Sequence, residues 1–360
     1  MLDNWLTPIH AESLLQIAAD HPQHLGAHLL DQTETPEKVR VALIGSEASG
    51  TESIRKALYQ LACHTPNLAV ADLGNLRKPE LDFAIQLLRE LQASHIIPIF
   101  LAPDLKFIQA LFRGQAQKQL NMGLFAQSPG FEVIEGKVHG PMASIAKDPD
   151  LANFSLIGGQ AHYIDATTMQ WMENRHFEQL RLGSLRSNLA AAEPYIRDTD
   201  LVAVQLNFLK QIEAPAQHPP SPSGLFSEEA CQLMRYAGMS DKLCGIGFFG
   251  YDLQSGDQDQ TAAVLAQLIW YFIEGVDNRK GDFPVSKKNL IEYIVQTREW
   301  NVPLVFWKSN KSGRWWMQIP EQKRKLGKRH FLVPCSYENY VSCTNDEIPD
   351  RLIRILRRFD

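Results

Sequence analysis

Short apolar runs and amphipathic stretches alternate along most of this chain. Eight runs have nearly continuous apolar character, and most of them are bounded by Gly, Pro or Asp. These runs are Val39–Gly45, Asn67–Gly74, Ile96–Ala102, Met122–Gln127, Phe154–Gly158, Leu201–Phe208, Gly245–Tyr251 and Pro303–Trp307. Continuous apolar character predicts strands that are buried on both faces, as in a parallel sheet.

Helical patterns fall between most of these runs. They cover Thr51–His64, Pro79–Ala93, Leu105–Gln119, Thr168–Leu182, Ser227–Gly238, Gln260–Gly275 and Ser286–Trp300. Strands that alternate with helices predict βαβ crossovers, because a parallel strand pair needs a connection across one face of the sheet. The expected fold class is therefore α/β, a three-layer α/β/α sandwich with a mainly parallel sheet of about eight strands.

Two irregular segments, 130–150 and 214–224, each follow a predicted strand and are expected on the side of the sheet where functional loops collect. The chain has no internal repeat and no long linker, so we expect one domain over residues 1–360. Within it, residues 1–38 form a predicted helical lead-in. Residues 281–360 form an appendage that is rich in Trp and basic side chains.

Composition narrows the class of protein. With 44% hydrophobic and 21% charged residues, the chain resembles an ordinary globular protein. Its net charge of −5 argues against nucleic acid as a partner, and the basic run 323–330 is interpreted as a solvated loop. No apolar stretch reaches the length of about 18 residues that a membrane-spanning helix needs.

The cysteines and the first residues favour the cytoplasm. The five cysteines are scattered, and no two have the CxxC spacing of a metal or redox motif. Such a set fits a reduced compartment. The first twenty residues lack the basic start and apolar run of a signal peptide, so we expect a cytoplasmic protein.

Other candidate sites have simpler interpretations. His21, His24 and His28 have helical spacing, but Pro22 interrupts the set, and a solvated helix end is favoured over a metal site. The turn 45–50 (GSEASG) lacks the Lys-Ser/Thr of a phosphate-binding loop.

Several phrases resemble the arginase/ureohydrolase superfamily, in particular its formimidoylglutamase-like branch. They are ALIG at 42–45 with IRKALYQL at 54–61, ADLGN at 71–75, RLG at 181–183, EP at 193–194, RD at 197–198, EEACQLMRYAGMSDKL at 228–243, QTAAVLAQLIWYFIEG at 260–275 and RKGDFP at 279–284. The resemblance spans roughly residues 39 to 345. It implies a three-layer fold with eight parallel strands, in agreement with the apolar runs.

The resemblance also implies a chemistry whose ligands this chain lacks. Such enzymes use two Mn²⁺ ions, which repel each other and therefore need several anionic oxygen ligands beside imidazoles. The family takes them from a Gly-Gly-x-His turn, an Asp-x-His-x-Asp strand end and a later Asp-x-Asp pair. Here the first place reads LAPD at 101–104, residues 105–131 contain no Asp or His, and the last pair is Gln205 and Asn207. The family's substrate-orienting glutamate falls at or near Gly250.

We therefore expect an arginase-like fold without the two-metal site, in a non-catalytic protein that binds a small polar ligand or a protein partner and needs no cofactor. Amides suit hydrogen-bond recognition of a neutral or zwitterionic molecule. The predicted cleft residues are Asp104, Gln127, Gln205, Asn207, Gly250, Asp252 and Asp257.

Two alternatives remain open. One is an active Mn-dependent amidinohydrolase with rearranged ligands, for which the candidates are His139, His162, Asp252 and Asp257. His162 follows a Gly-Gly turn, but it falls after the missing Asp-x-His-x-Asp strand, so a loop role is favoured for it. The other is a structural subunit in a homo-oligomer, since ureohydrolases commonly assemble.

Overall fold

A computed structural model describes residues 4–9, 16, 20–29, 38–48, 50–254, 258–284, 286–298, 303–319 and 332–358. The strands are β1 Leu6–Thr7, β2 Val41–Gly45, β3 Val70–Leu76, β4 Ile97–Leu101, β5 Leu120–Phe125, β6 Glu132–Ile134, β7 Lys137–His139, β8 Leu151–Gly159, β9 Glu178–Arg181, β10 Leu201–Gln205, β11 Gly245–Phe249, β12 Leu290–Val295, β13 Leu304–Ser309, β14 Trp315–Gln318 and β15 Leu332–Cys335.

Helices connect most of these strands. They are α1 Glu52–Tyr59, α2 Leu81–Ala93, α3 Ile108–Arg113, α4 Ala143–Ala146, α5 Ala166–Asn174, α6 Leu182–Ser187, α7 Glu193–Arg197, α8 Ser227–Gly238, α9 Gln258–Asp277, α10 Tyr337–Thr344 and α11 Asp350–Arg358. Short 3₁₀ turns at Leu25–His28, Leu105–Phe107, Ala161–Tyr163, Leu189–Ala192 and Leu206–Phe208 complete the described elements.

The main sheet has nine strands in the order β1-β3-β2-β4-β11-β10-β5-β8-β9. Eight of them run parallel to their neighbours, and β1 joins β3 in the antiparallel sense. Helices cover both faces, and each face has its own apolar cluster. The predicted α/β sandwich with a mainly parallel sheet of about eight strands is confirmed.

The membership of that sheet differs from the prediction at one edge. The eighth parallel strand is β9, which lies inside a segment predicted as the helix Thr168–Leu182. Its residues Glu-Gln-Leu-Arg carry little apolar character, and only contacts remote in sequence bury Glu178. The helix ends at Asn174, and the run Pro303–Trp307 belongs instead to a second sheet.

That second sheet is antiparallel and has the order β12-β13-β14-β15. The predicted helix Ser286–Trp300 is wrong here, because Leu290–Val295 is a strand paired with β13. Its Ile-Glu-Tyr-Ile-Val sequence is rich in β-branched and aromatic residues, which favour strands. With α10 and α11 this sheet encloses a separate apolar cluster that includes Phe306 and Trp315.

Residues of the terminal segments are described only in part. Of the predicted helical lead-in 1–38, the structure describes residues 4–9, 16, 20–29 and 38, which include β1 and the 3₁₀ turn Leu25–His28. The other residues of this segment lie outside the described ranges. The basic run 323–330 and Trp300 lie outside them too. Among the helices that the structure describes, none is both long and apolar enough to cross a membrane.

Candidate binding cleft

The carboxyl ends of the parallel strands form one edge of the main sheet, which we call the cleft edge. Strands β11, β10, β5 and β8 are four consecutive strands of the sheet, and adjacent strands lie about 4.8 Å apart. Gln127, Gln160, Gln205 and Gly250 each stand at or just after the end of one of these strands. The sheet therefore brings together residues that are far apart in sequence.

Gln205 ends β10, and Asn207 lies in the 3₁₀ turn that follows. Both are buried, at 7% and 1% exposure. The Asn207 Oδ1 accepts a long hydrogen bond of 3.5 Å from the backbone N–H of Gln127. Within the described residues, the Gln205 side chain and the Asn207 amide nitrogen have no hydrogen-bond partner. Both amides thus keep hydrogen-bonding capacity at the cleft edge.

Gln127 and Gln160 present buried acceptors at the ends of the adjacent strands β5 and β8. Their side-chain oxygens are buried, and neither accepts a hydrogen bond from the described residues. The Gln160 amide nitrogen is satisfied, since it donates to the carbonyl of Ser223 at 3.0 Å. An unpaired buried polar group costs about 1–3 kcal/mol, so each of these oxygens lowers the stability of the fold.

A cavity of about 620 Å³ opens beside Gln127, Gln205 and Asn207. It is lined by Leu105, Gln127, Ser128, Gly130, Phe131, Glu132, His139, Gly140, Pro141, His162, Tyr163, Ile164, Asp165, Thr168, Gln205, Asn207 and Pro219. The volume falls in the usual range for small-molecule sites, about 300–1,000 Å³. Three predicted cleft residues, Gln127, Gln205 and Asn207, therefore share one cavity.

The predicted acidic residues of the cleft are placed elsewhere. Asp104 caps the turn after β4, where it accepts from the N–H of Lys106 at 2.8 Å and pairs with its ammonium group at 2.9 Å. Asp252 is exposed and accepts from the N–H of Gln254 at 3.0 Å. Neither is among the residues that line the cavity. Asp257 lies outside the described residues.

Gly250 does not line the cavity, but it packs closely against Gln205, which does. Its φ of +74° lies in the left-handed region that favours glycine. A Cβ atom there would come within 2.9 Å of the Gln205 Cγ and 3.0 Å of the His218 carbonyl oxygen. A glutamate at position 250 would therefore collide with Gln205, which stands where the resembling enzymes have a metal-binding aspartate.

The rim of the cavity carries negative charge. Glu132 and Asp165 are both exposed. Asp165 caps α5 by accepting from the N–H and hydroxyl of Thr168, at 2.8 and 2.6 Å. The hydroxyl bond, followed by the backbone bond, lowers the pKa of Asp165 below its ordinary value of 3.8. None of the described lining residues is Lys or Arg.

His139 and His162, two candidate ligands of the rearranged metal site, both line the cavity. Both are exposed, and the His162 ring lies 4.3 Å from the Tyr163 ring. A group of three or more His, Cys, Asp or Glu side chains able to hold a metal ion does not occur within the described ranges.

Sequence reasoning missed several lining residues, among them Glu132, Tyr163 and Asp165. They come from the hairpin β6–β7 and the segment after β8. Gln160 was also missed, although its position directly after the Gly-Gly end of an apolar run was a usable signal. The others carry no periodic pattern, because they lie in turns.

Comparisons with known proteins place the fold. No protein-family model matches the sequence, and no curated protein does either. The structure is similar to Trypanosoma cruzi formiminoglutamase with Mn²⁺, with a TM-score of 0.60 and 15% identity over 69% of this chain and 97% of that one. It is also similar to Bacillus subtilis formimidoylglutamase, with a TM-score of 0.59 and 14% identity over 70% of this chain and 91% of that one.

A third similar structure is the agmatine ureohydrolase of Thermoplasma volcanium, with a TM-score of 0.54 and 15% identity over 68% of this chain and 92% of that one. Nearly the whole of each neighbour is matched, while about three tenths of this chain lies outside the match. The resemblance inferred from the sequence is confirmed at the level of the fold: this chain has the fold of the arginase superfamily.

Proposed function

We propose that this chain is a non-catalytic member of the arginase fold that binds a small polar ligand, neutral or zwitterionic, in its cleft. One observation carries the proposal: the side chains of Gln127, Gln205 and Asn207 line one cavity, and the Gln205 amide and the Asn207 amide nitrogen have no hydrogen-bond partner among the described residues. A pocket with a few convergent polar groups is the usual form of a small-molecule site.

The donor set supports binding rather than two-metal chemistry. Two divalent cations need several anionic oxygens to offset their mutual repulsion. Gln205 and Asn207 offer neutral oxygens only, and Gly250 leaves no room for a glutamate beside Gln205. The acids that the sequence placed near the strand ends, Asp104 and Asp252, are satisfied by their own turns. The described residues of this edge do not fit a pair of Mn²⁺ ions.

Thermal unfolding in the presence of candidate ligands tests the proposal. The protein is first dialysed against a chelator, and free amino acids, carboxamides, amines and nucleosides are then added at millimolar concentration. A ligand at about a hundredfold excess over its Kd stabilises the folded state by about 2.7 kcal/mol. We expect at least one compound to raise the midpoint, and calorimetric titration to give saturable binding.

Variants locate the binding. Gln205→Leu and Asn207→Leu each remove an amide from the cavity and should abolish the shift. Gln170→Leu is the matched control, since Gln170 is exposed on α5, bonds Asn174 and does not line the cavity. Binding that survives both cleft variants, or no binding by any compound of the panel, contradicts the proposal.

The alternative of a Mn-dependent amidinohydrolase keeps one supporting observation, which is that His139 and His162 both line the cavity. It requires hydrolysis, in the presence of Mn²⁺, of a guanidine to urea and a free amine or of a formimino group to formamide and a free amine. Loss of that hydrolysis in His139→Ala and His162→Ala, with an unchanged melting temperature, would favour the alternative over the binding proposal.

A further inference from the structure

The two larger sheets have four edges, and three of these edges are short or blocked. In the main sheet, β1 is two residues long and β9 is four residues long. In the second sheet, β15 contains Pro334, which has no N–H to donate. The carbonyls of Pro334 and Cys335 accept from Arg351 and Arg197 at 2.7 and 3.2 Å. Short strands, proline and covering side chains are the usual protection of a sheet edge.

The fourth edge, β12, lacks this protection. It is six residues long, reads LIEYIV and contains no proline, glycine or lysine. Its pairing with β13 has an unbroken register, so no bulge twists it away. Among the described residues, the backbone groups of Ile291–Val295 make no hydrogen bond beyond that pairing. The free side of β12 therefore presents a row of unpaired N–H and C=O groups.

Apolar side chains are exposed on both faces of β12. Tyr293 and Val295 contact the apolar cluster of the second sheet, and Ile291, on the same face, is 43% exposed. Ile294 lies on the other face and is 65% exposed. A strand added beside β12 would cover both isoleucines, and β-branched and aromatic cross-strand pairs stabilise a sheet.

We propose that the chain forms a two-fold symmetric dimer in which β12 pairs with β12 of a second copy, so that the two second sheets become one antiparallel sheet. An edge that is kept open for a different partner must still avoid its own copy, and natural edges do so with lysine, proline or a bulge. β12 has none of these. Because β15 is blocked, copies can join through this sheet only from β12 to β12, about an axis that closes the assembly.

Symmetry restricts the register of this contact. An axis perpendicular to the sheet keeps each face on its own side, so only residues of the same face can lie opposite each other. An axis at Glu292 would place two carboxylates opposite each other, which is unfavourable. An axis at Tyr293 places Ile291 opposite Val295 and Glu292 opposite Ile294, with the strands overlapping over most of their length. The axis therefore passes beside Tyr293.

The contact shares no residue with the cleft, so the proposal is independent of the ligand. A contact through one strand is small and belongs to the weak, reversible class of interfaces. Light scattering of the full chain, from low micromolar to submillimolar concentration, should show the mass rising toward twice that of one chain. Hydrogen–deuterium exchange of the β12 amides should slow over the same series, whereas exchange in β4, inside the main sheet, should not change.

A variant with a matched control locates the contact. Ile294→Lys places a lysine at the edge, and symmetry places it twice in each dimer, so the dissociation constant should rise at least about tenfold. Ile212→Lys is the control, because Ile212 is 74% exposed and lies outside the second sheet. It should leave the dissociation constant unchanged. Ile291→Lys, on the other face of β12, should act in the same direction as Ile294→Lys and replaces it if that variant does not fold.

Three results would overturn the proposal. One is a chain that stays monomeric throughout the series, and the edge would then be open to a strand of another protein. Another is a dimer that persists unchanged in the β12 variants, because the copies would then associate through a different surface. The third is a dimer whose β12 amides exchange as fast as those of the monomer.

Discussion

The two edges of the main sheet satisfy their buried polar groups in opposite ways. At the amino ends of the strands, which we call the opposite edge, Glu178 and Asp200 are buried and lie 2.9 and 3.2 Å from Arg351 and Lys242. At the cleft edge, the buried side chains of Gln127, Gln205 and Asn207 beside the cavity are amides, and the Gln127 oxygen has no partner among the described residues. The buried charges of the opposite edge are paired, whereas these three buried side chains beside the cavity are uncharged.

The energies explain why the two arrangements can coexist. Removing one partner of a buried ion pair costs about 3–5 kcal/mol, because the remaining charge is left without compensation. An unpaired buried amide costs about 1–3 kcal/mol. A stable chain can carry unpaired amides at a binding cleft, whereas it cannot carry an unpaired carboxylate in its core.

Residues at the opposite edge of the main sheet also contact the second sheet and the helix α11. Arg351 and Arg358, on α11, approach the two oxygens of Glu178 at 2.9 and 3.5 Å. The Arg351 contact is ionic rather than a hydrogen bond, since its Nε–H is not aimed at the carboxylate. Arg197 donates to the carbonyls of Trp315 and Cys335 at 3.2 Å. The buried charges of Glu178 and Arg197 are therefore compensated in part by groups of α11 and of the second sheet.

The largest expected effect comes from breaking this balance. Arg351→Met should lower the free energy of unfolding by about 3–5 kcal/mol, because Glu178 remains buried with less compensation. Urea unfolding at neutral pH measures the loss. Arg298→Met is the matched control: its ion pair with Asp346 has an Arg side chain that is 91% exposed, so the loss should stay below about 1 kcal/mol.

Similar losses in the two variants would contradict the account of the opposite edge. Adding Glu178→Gln to Arg351→Met should restore part of the stability, since the uncompensated charge is then gone. The double-mutant cycle measures that coupling directly.

Acid should weaken the opposite edge next. Burial by itself raises the pKa of Glu178, but Arg351 and Arg358, with hydrogen bonds from Asn153 and Ser155, lower it from 4.5 to about 2. A carboxyl group whose pKa is lowered on folding stabilises the protein above its unfolded pKa and loses that effect as the pH falls toward the folded one. The contribution, about 3 kcal/mol, should therefore disappear between about pH 4.5 and pH 2.

Comparison with Glu178→Gln isolates that group. The wild-type free energy of unfolding should fall more steeply across this pH range than that of the variant. Parallel curves would mean that Glu178 titrates alike in the folded and unfolded states.

Gly250→Ala tests the close packing of Gly250 against Gln205 and His218. The added Cβ atom would come too close to Gln205 and His218, and the alanine would have to keep the left-handed backbone conformation. The free energy of unfolding should therefore fall by about 1–3 kcal/mol. Thermal and urea unfolding measure the effect. Gly183→Ala is the control, because a Cβ atom added there would meet no other atom within 4 Å and its φ is not positive. An effect of Gly250→Ala no larger than that of the control would contradict the close packing.

Restoring charge at the cleft edge should lower the stability of the protein as the pH rises. Gln205→Asp with Asn207→Asp restores two carboxylates without other ligands, and burial beside each other should raise their pKa values. Each carboxyl group whose pKa is raised on folding costs stability as the pH rises through its unfolded pKa, by about 1.4 kcal/mol for each unit by which the pKa rises. Urea unfolding should therefore show a variant close to wild type near pH 4 and weaker at pH 7. A variant that is as stable as wild type at pH 7 would contradict the idea of a poorly compensated edge.

Much of the fold could be predicted because parallel strands buried on both faces leave a continuous apolar signal. The runs that became β2, β4, β10 and β11 are of this kind. β9 could not be predicted in this way, because its first residue is Glu178. This glutamate can be buried only because Arg351 and Arg358, which are remote in sequence, offset its charge. The misassigned segment before residue 300 shows that periodicity alone does not separate a short strand from a helix.

The cleft was predicted in part for a similar reason. Gln127, Gln205 and Asn207 follow recognisable strands, so their place at one edge follows from topology. Asp104 and Asp252 also follow strands, but the direction of a side chain in a turn depends on local hydrogen bonds that the sequence pattern does not reveal. The aromatic and acidic wall comes from turns and a hairpin, which carry no such periodicity.

The central claim is that the cleft edge offers hydrogen bonds and not the charge that a metal pair needs. Equilibrium dialysis of the purified chain against micromolar Mn²⁺, followed by elemental analysis, tests it most directly. The account predicts no stoichiometric Mn²⁺ in the wild type and no change in His139→Ala or His162→Ala. Two equivalents of Mn²⁺ per chain, lost in those variants, would contradict it.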